Sequence, residues 1–197
     1  MQNLISALAR IEPLSQGQEE AILALKPFMK HISLKKGNYL YRSGHIPDFV
    51  AHVECGILRH VIMDSNENEK ILRFFQEDDF IEDCKSFNEQ CPVNYSIQAL
   101  EDCELGYFKF MDVVHLYTDY PEFEKIGRKM MERNAASYEL HLSALMKYNS
   151  EERYKFLLQT NPDLIKRISV THLAQYLDMN RVTLSKMRAK MINRQIL

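Results

Sequence analysis

ISVTHLAQYLDMNRVTLSKMRAKM, residues 168–191, is the stretch of this chain that predicts a structure most directly. Its apolar residues recur at helical spacing in two separate stripes, which indicates two short helices. Ser169 and Asn180 are favourable N-caps for these helices. Asp178 tolerates the left-handed backbone conformation that a tight turn between them requires. The stretch therefore predicts two crossed helices joined by a turn.

The second of these helices carries positive charge and no carboxylate. From Asn180 to Leu197 the charged residues are Arg181, Lys186, Arg188, Lys190 and Arg194. An ordinary solvated helix mixes the two signs, so contact with a polyanion explains the pattern better. The residues left lateral or outward, which we expect to meet DNA, are Arg181, Thr183, Ser185, Lys186, Arg188 and Lys190. We expect the first four at base edges and the last two nearer the phosphate backbone.

Bulk composition supports a basic module at the C-terminal end. The chain has 197 residues, is 46% hydrophobic and 26% charged, and has a formal net charge of −2. That charge is uneven, because residues 147–197 hold ten Lys/Arg against four Asp/Glu while residues 1–146 carry a net −8. The sequence contains no apolar run of membrane-spanning length, and MQNLISALARIEPL is too polar for a signal peptide. We therefore expect a cytoplasmic protein without a membrane partner.

The four cysteines give no sign of a metal site or a cofactor. Cys55, Cys84, Cys91 and Cys103 form no CxxC pair, and their spacing has no strong metal interpretation. In a cytoplasm, reduced and mostly buried thiols are the expected state.

The rest of the chain changes character twice. Residues 1–30 show helical spacing, with a capping box at Ser15 and Gln18. Residues 30–110 show short alternating β-type runs punctuated by glycines, with Gly37 expected to turn a hairpin and residues 64–70 to form a polar turn. Several short strands at close spacing indicate a small β-roll or barrel.

Helical periodicity returns over residues 119–147. The apolar seam predicted there consists of Phe123, Ile126, Met130, Tyr138, Leu142 and Leu145, with Asn134 inside it. A long helix with such a seam is typical of a dimerisation element. The alternative is a helix lying on its own β-roll, and one helix can do both. A further helix is expected over residues 150–160 with Ser150 as its N-cap, and Asn161-Pro162 is expected to end or interrupt it.

Four segments together resemble the Crp/Fnr family of bacterial transcription regulators. They are KKGNYLYRSGHIPDFVAHVECGILR (35–59), FFQEDDFIED (74–83) with SIQALEDCEL (96–105), SEERYKFLL (150–158) and HLAQYLDMNRVTLSKMR (172–188). The resemblance implies an α+β protein with an N-terminal double-stranded β-helix (jelly-roll-like) effector domain over residues 1–118. It further implies a long dimerisation helix over 119–147. Residues 148–197 would form a C-terminal helix-turn-helix of winged type with a truncated wing.

The resemblance also implies an effector pocket, whose residues depart from the family's cyclic-nucleotide pattern. The implied pocket residues are Asp79, Glu82, Asp83, Val93, Asn94 and Tyr138. Asp78 and Glu82 stand where the family's phosphate cassette has glycines, and Val93-Asn94 stands where it has an Arg-Ser pair. Carboxylates without that arginine would repel a phosphodiester. We therefore expect any effector to be something other than cAMP, such as a neutral or cationic molecule.

The function that these observations favour is a dimeric, DNA-binding transcription regulator without enzymatic activity. Its expected partners are a palindromic double-stranded operator, a second copy bound through residues 119–147 and an unknown small-molecule effector. No cysteine precedes Cys55, which argues against the family's oxygen-sensing iron–sulfur cluster. One alternative is a ligand-binding or protein-interaction module whose helix-turn-helix is degenerate. A cupin-like metal enzyme is a weaker alternative, because the strands contain no His-x-His pair.

Overall fold

The computed structural model describes residues 1–193. The helices are α1 (Gln2–Ile11), α2 (Gln16–Ala24), α3 (Cys84–Glu89), α4 (Phe110–Asp119), α5 (Glu124–Lys147), α6 (Ser150–Thr160), α7 (Pro162–Arg167), α8 (Val170–Tyr176) and α9 (Arg181–Asn193). The strands are β1 (Lys30–Leu34), β2 (Tyr39–Tyr41), β3 (Phe49–Cys55), β4 (Leu58–Met63), β5 (Glu69–Phe75), β6 (Phe80–Ile81), β7 (Ser96–Ala99) and β8 (Cys103–Lys109). Single turns of 3₁₀-helix cover Lys26–Phe28 and Pro121–Phe123.

The strands form two four-stranded sheets that make up a β-roll. One sheet has the order β1-β8-β3-β6 and the other β2-β7-β4-β5. Pairing in the first sheet is antiparallel, with β1 matched to β8 from Lys30↔Tyr107 to Leu34↔Cys103. The predicted α+β class with a β-roll is confirmed. The expected hairpin at Gly37 is wrong, because β1 and β2 lie in different sheets and the glycine turns the chain from one to the other.

Two compact units can be distinguished along the chain. The first unit combines Met1–His60 with Phe74–Ala136, and the second combines Val61–Arg73 with the chain from Ser137 onward. The tip of the β4–β5 hairpin thus belongs to the second unit. The predicted division at residues 118 and 147 stays a prediction.

The first unit contains two hydrophobic clusters. The cluster inside the roll is built from inward-facing strand residues such as Ala51, Ile97 and Leu105, all fully buried. The second cluster joins α1 and α2 to α4 and to the start of α5. The Ser15–Gln18 capping box begins α2, as predicted. Gln18 also donates from Nε2 to the carbonyl of Glu122 at 3.0 Å, which ties α2 to the turn before α5.

We expect Gly56→Ala to lower the free energy of unfolding by about 3 kcal/mol or more. Gly56 has φ +101°, and an added Cβ would lie 2.5 Å from Cys103 Sγ and 2.7 Å from the carbonyl oxygen of Asp102. Gly37→Ala is the matched control, since Gly37 has φ +88° but nothing within 4 Å of the added carbon. It should cost only the backbone strain of about 1–2 kcal/mol. Urea unfolding measures both variants, and equal losses would contradict the steric argument.

Helix α5 buries one face in its own unit and leaves another exposed. Phe123, directly before α5, and Ile126 lie in the second cluster, against which Met130 packs. Asn134 donates from Nδ2 to Glu82 Oε1 at 2.6 Å. The residues predicted as one seam therefore lie on two different faces of α5. The first of them pack on the chain's own first unit, which is the alternative to a purely dimeric helix given above. The exposed stripe consists of Met131, Ala135, Leu142 and Met146.

Candidate nucleic-acid interface and effector pocket

Local hydrogen bonds fix the geometry of the α8–α9 pair. The amide of His172 donates to Ser169 Oγ at 3.1 Å, and the amide of Val182 donates to Asn180 Oδ1 at 2.8 Å. Both predicted caps are therefore present. Asp178 has φ +48°, and the following amide, that of Met179, donates to the carbonyl of Ala174 at 3.0 Å. The predicted left-handed turn at Asp178 thus closes the end of α8.

The two faces of α9 separate as the 3.6-residue period requires. Leu184 and Met191 are buried, and Met187 is half-buried, so these three residues form the inward face. Exposed residues predicted to meet DNA are Arg181, Thr183, Ser185, Lys186 and Lys190, whereas Arg188 is half-buried. Val182 is exposed on the same side. Arg194 and the predicted truncated wing lie outside the described residues.

The exposed face of α9 is cationic and unneutralised within the part of the chain that the structure describes. Helix α9 contains no acidic residue through Asn193. Across residues 1–193, none of the recorded ion pairs involves Arg181, Lys186, Arg188 or Lys190. A surface that concentrates unpaired cations on one helix is suited to an anionic partner.

The tip of the β4–β5 hairpin braces the turn before α9, which the sequence did not predict. Lys70 Nζ lies 2.5 Å from Asp178 Oδ1, and Gln175 Nε2 donates to Glu69 Oε2 at 3.4 Å. The ion pair neutralises Asp178, the acidic residue nearest the start of α9. These partners are more than a hundred residues apart in sequence, so no local pattern could indicate them.

His141 of α5 packs on α8 through an aromatic stack. Its ring lies 3.9 Å from the ring of Tyr176, centroid to centroid, with an interplanar angle of 8°. Burial lowers the pKa of His141 to about 4, and the nearby Arg153 guanidinium adds to the effect. The imidazole is therefore neutral at pH 7 and holds the end of α5 against α8.

We expect the free energy of unfolding to fall as the pH is lowered from about 6.5 towards 4. Unfolded histidine binds its proton near the ordinary pKa of about 6.5, whereas folded His141 resists protonation to about 4. Its stabilising contribution is thus complete above pH 6.5 and is lost through that window. His141→Phe keeps a ring against Tyr176 but has no group to protonate. Between pH 7 and pH 4.5 its free energy of unfolding should therefore fall by about 2 kcal/mol less than that of the unchanged protein. Urea unfolding at the two pH values measures this, and equal decreases in both proteins would contradict it.

The acidic residues predicted to line an effector pocket are held by neighbours within the first unit. Asp79 Oδ2 accepts from the amide of Gln76 at 3.0 Å. Asp83 is the N-cap of α3 and also accepts from Tyr95 Oη at 2.6 Å. Glu82 accepts from Asn134, as described above. These carboxylates therefore order the segment that leads into α3.

The other three predicted pocket residues have different local surroundings. Val93 is buried in the roll interior, and its amide and carbonyl both bond to the backbone of residues 44–45. Asn94 is exposed. Tyr138 belongs to the second unit, where the guanidinium of Arg73 lies 5.5 Å from its ring centroid. The predicted effector pocket stays a prediction.

Aromatic side chains fill the roll where the cassette and β7 meet. The ring of Tyr95 lies 4.0 Å from that of His60 and 5.9 Å from that of Tyr41, centroid to centroid. Burial raises the pKa of the Tyr95 hydroxyl, with the neighbouring Tyr41 adding to the effect. Asp78 keeps the left-handed conformation, with φ +68°, at the position where the family pattern has glycine. Asp78 thus adopts the backbone conformation that a glycine would favour at this position.

Residues 31–120 match the family model of the cyclic nucleotide-binding domain. No curated protein matches the sequence. Within residues 1–193, no helix is both long and apolar enough to cross a membrane. Over the same residues, no three His, Cys, Asp or Glu side chains converge in a way that could hold a metal ion.

Solved structures of transcription regulators share the fold. FixK2 from Bradyrhizobium japonicum is 17% identical, with a TM-score of 0.75 over 86% of this chain and 87% of that chain. CLP of Xanthomonas campestris, a c-di-GMP-responsive global regulator, is 16% identical, with a TM-score of 0.70 over 92% and 93%. The catabolite activator protein of Thermus thermophilus is 18% identical, with a TM-score of 0.56 over 96% and 88%. Together with the domain match, this shared fold confirms the predicted resemblance to the Crp/Fnr family.

Proposed function

We propose that the chain is a homodimeric, DNA-binding transcription regulator of the Crp/Fnr type. The main support for this proposal is the exposed face of α9, which carries basic side chains and no acidic one. This face follows the turn that the tip of the β4–β5 hairpin contacts. In this function α8 and α9 form a helix-turn-helix, and α9 enters the major groove. The shared fold with FixK2 and CLP supports the proposal. The protein acts in the cytoplasm and catalyses no reaction.

The residues of α9 divide between base and backbone contacts. Arg181 and Thr183 lie in its first turn, where base edges are met, with Ser185 and Lys186 following on the exposed side. Arg181 has the fork of donors that reads guanine in the major groove. Val182, exposed beside them, can contact a thymine methyl group.

Helix α5 supplies the dimer contact. Its exposed stripe runs from Met131 to Met146, and Met146 is 81% exposed. Large apolar side chains lying so openly along one helix face are typical of a protein–protein contact. A two-fold dimer through α5 presents two copies of α9 to two half-sites, so the operator is palindromic.

The effector, in this proposal, is not a cyclic nucleotide. The roll is filled by Tyr41, His60 and Tyr95, and the carboxylates of the cassette meet no arginine at the Val93-Asn94 position. No cationic side chain stands at that position to take a phosphodiester, and the arginines at the cassette, Arg10 and Arg133, are paired with Asp78 and Asp79.

Selection of bound duplexes from a random pool tests the proposal. We expect enrichment of an inverted repeat whose half-sites are centred one helical turn, roughly 34 Å, or a multiple of it apart. Enrichment of a single unpaired site would contradict the two-fold arrangement. No enrichment at low salt would contradict DNA binding and favour an interaction module with a degenerate helix-turn-helix.

A further inference from the structure

The first unit contains an apolar cavity of about 290 Å³ that is separate from the roll interior. Its walls come from α1, the segment around α2, α3, α4, the start of α5 and the outer face of β3, β6 and β8. The cavity lies within the second hydrophobic cluster of that unit, not among the residues that fill the roll. None of the proposed DNA contacts is part of it.

The cavity has room for a small molecule. Protein interiors rarely leave voids larger than a water molecule, and an engineered apolar cavity of about 150 Å³ already binds benzene. Three lining residues are exposed, namely Asn88, Val114 at 42% and Met131 at 51%, so the opening is largely apolar with one amide at its edge. Gly127 of α5 leaves room for the Tyr117 side chain in the cavity wall, because a Cβ at residue 127 would overlap the hydroxyl of Tyr117.

The polar groups of the wall define the chemistry of a ligand. The lining contains no Lys, Arg or His. Its single carboxylate is that of Glu82, which Asn134 orients, and the amide of Asn88, the hydroxyl of Tyr117 and the thiol of Cys84 complete the polar part. A carboxylate accepts hydrogen bonds, whereas an anionic ligand would lose its hydration without gaining a cation.

We propose that this cavity binds an apolar, uncharged small molecule, about the size of two fused aromatic rings, that carries one hydroxyl group. The ring system fills the apolar wall, and the hydroxyl donates to the Glu82 carboxylate.

The site is placed to act on the dimer helix, a consequence that rests on the proposed function. Gly127, Met130 and Met131 of α5 line the cavity. Met131 is also the first residue of the exposed stripe of α5. A ligand that packs against Met131 therefore changes the surface that a second copy would meet, and so couples occupancy to DNA affinity.

Fluorescence titration of the full chain with 2-naphthol and 2-naphthoate tests the proposal. The chain contains no Trp, so excitation at wavelengths above tyrosine absorption reads the probe alone. We expect saturable binding of 2-naphthol, one molecule per chain, and at least about tenfold weaker binding of 2-naphthoate. Absence of saturable 2-naphthol binding, or equal affinity for the two probes, would overturn the proposal.

Cavity-filling variants locate the binding. Val113→Phe places a ring in the cavity and should weaken 2-naphthol binding by at least about tenfold. Met111→Phe, on the exposed side of the same helix, should leave it within about twofold. Val114→Phe at the exposed opening is less demanding for folding and should also weaken binding. Unchanged affinity in both Val113→Phe and Val114→Phe would overturn the proposed location.

A parallel measurement of duplex binding separates this inference from the proposed function. A chain that binds the selected duplex but not 2-naphthol contradicts the inference and leaves the function standing. A chain that binds 2-naphthol but no duplex contradicts the function and leaves the cavity site standing.

Discussion

Replacing Arg181 with alanine should weaken binding to the selected operator by about 5- to 150-fold and abolish discrimination at one base pair. A bidentate arginine–guanine contact contributes about 1–3 kcal/mol of discrimination. Arg181 is the first residue of α9, is exposed and lies next to the Asn180 cap that fixes the start of the helix. Its side chain is thus at the end of the helix that meets base edges.

The matched control is Lys190→Ala, near the other end of α9. Lys190 is exposed and is expected to contact phosphate. Its loss from both copies of the dimer should weaken binding to all sequences alike and reduce the salt slope by about 1.8, roughly 0.9 for each copy. Competition binding against operators with single base-pair substitutions measures both variants. If Arg181→Ala weakened every duplex equally, Arg181 would be a phosphate contact.

Leu142→Glu should convert the protein to a monomer and lower its affinity for the palindrome by at least about 100-fold. Leu142 is 57% exposed in the middle of the apolar stripe of α5, and a carboxylate there would be buried against a second copy. Linking two half-site contacts in one dimer raises affinity by about 10²–10⁴ without any new contact, and a monomer loses that gain.

Leu140→Glu is the matched control on the same helix. Leu140 is 52% exposed, and two residues at 100° each place it about 160° around α5 from Leu142. It should remain a dimer with unchanged DNA affinity. Sedimentation and duplex titration at the same protein concentration compare the two variants. A dimeric Leu142→Glu protein would contradict the assignment of the stripe.

The α8–α9 pair could be predicted from sequence because its determinants are local. Ser169, Asp178 and Asn180 act on backbone groups within five residues of themselves, so cap and turn preferences suffice. Burial of Leu184 follows from the same short-range period. The cap of α6 was predicted one residue late, since Asn149 forms the capping box with Glu152. The Asn-x-x-Glu pattern in the sequence indicates this capping box.

The features that could not be predicted from the sequence depend on contacts between residues far apart along the chain. Helical period marks Ile126 and Leu142 alike as apolar, but only tertiary packing shows that one is in the chain's own core and the other is exposed. The contact between Lys70 and Asp178 depends on where the β4–β5 hairpin folds. The predicted grouping of Tyr138 with Asp79 and Glu82 came from the resemblance and stays a prediction, since Tyr138 belongs to the second compact unit and the two carboxylates to the first. A cavity arises from the packing of many elements and has no sequence pattern.

The dependence of duplex binding on salt concentration tests DNA recognition by α9 most directly. Each phosphate neutralised contributes about 0.9 to the slope of log affinity against log salt. A dimer that presents Arg181, Lys186, Arg188 and Lys190 twice should give a slope between about −4 and −7. A slope near zero, or no binding to any duplex at about 50 mM salt, would contradict the proposed function.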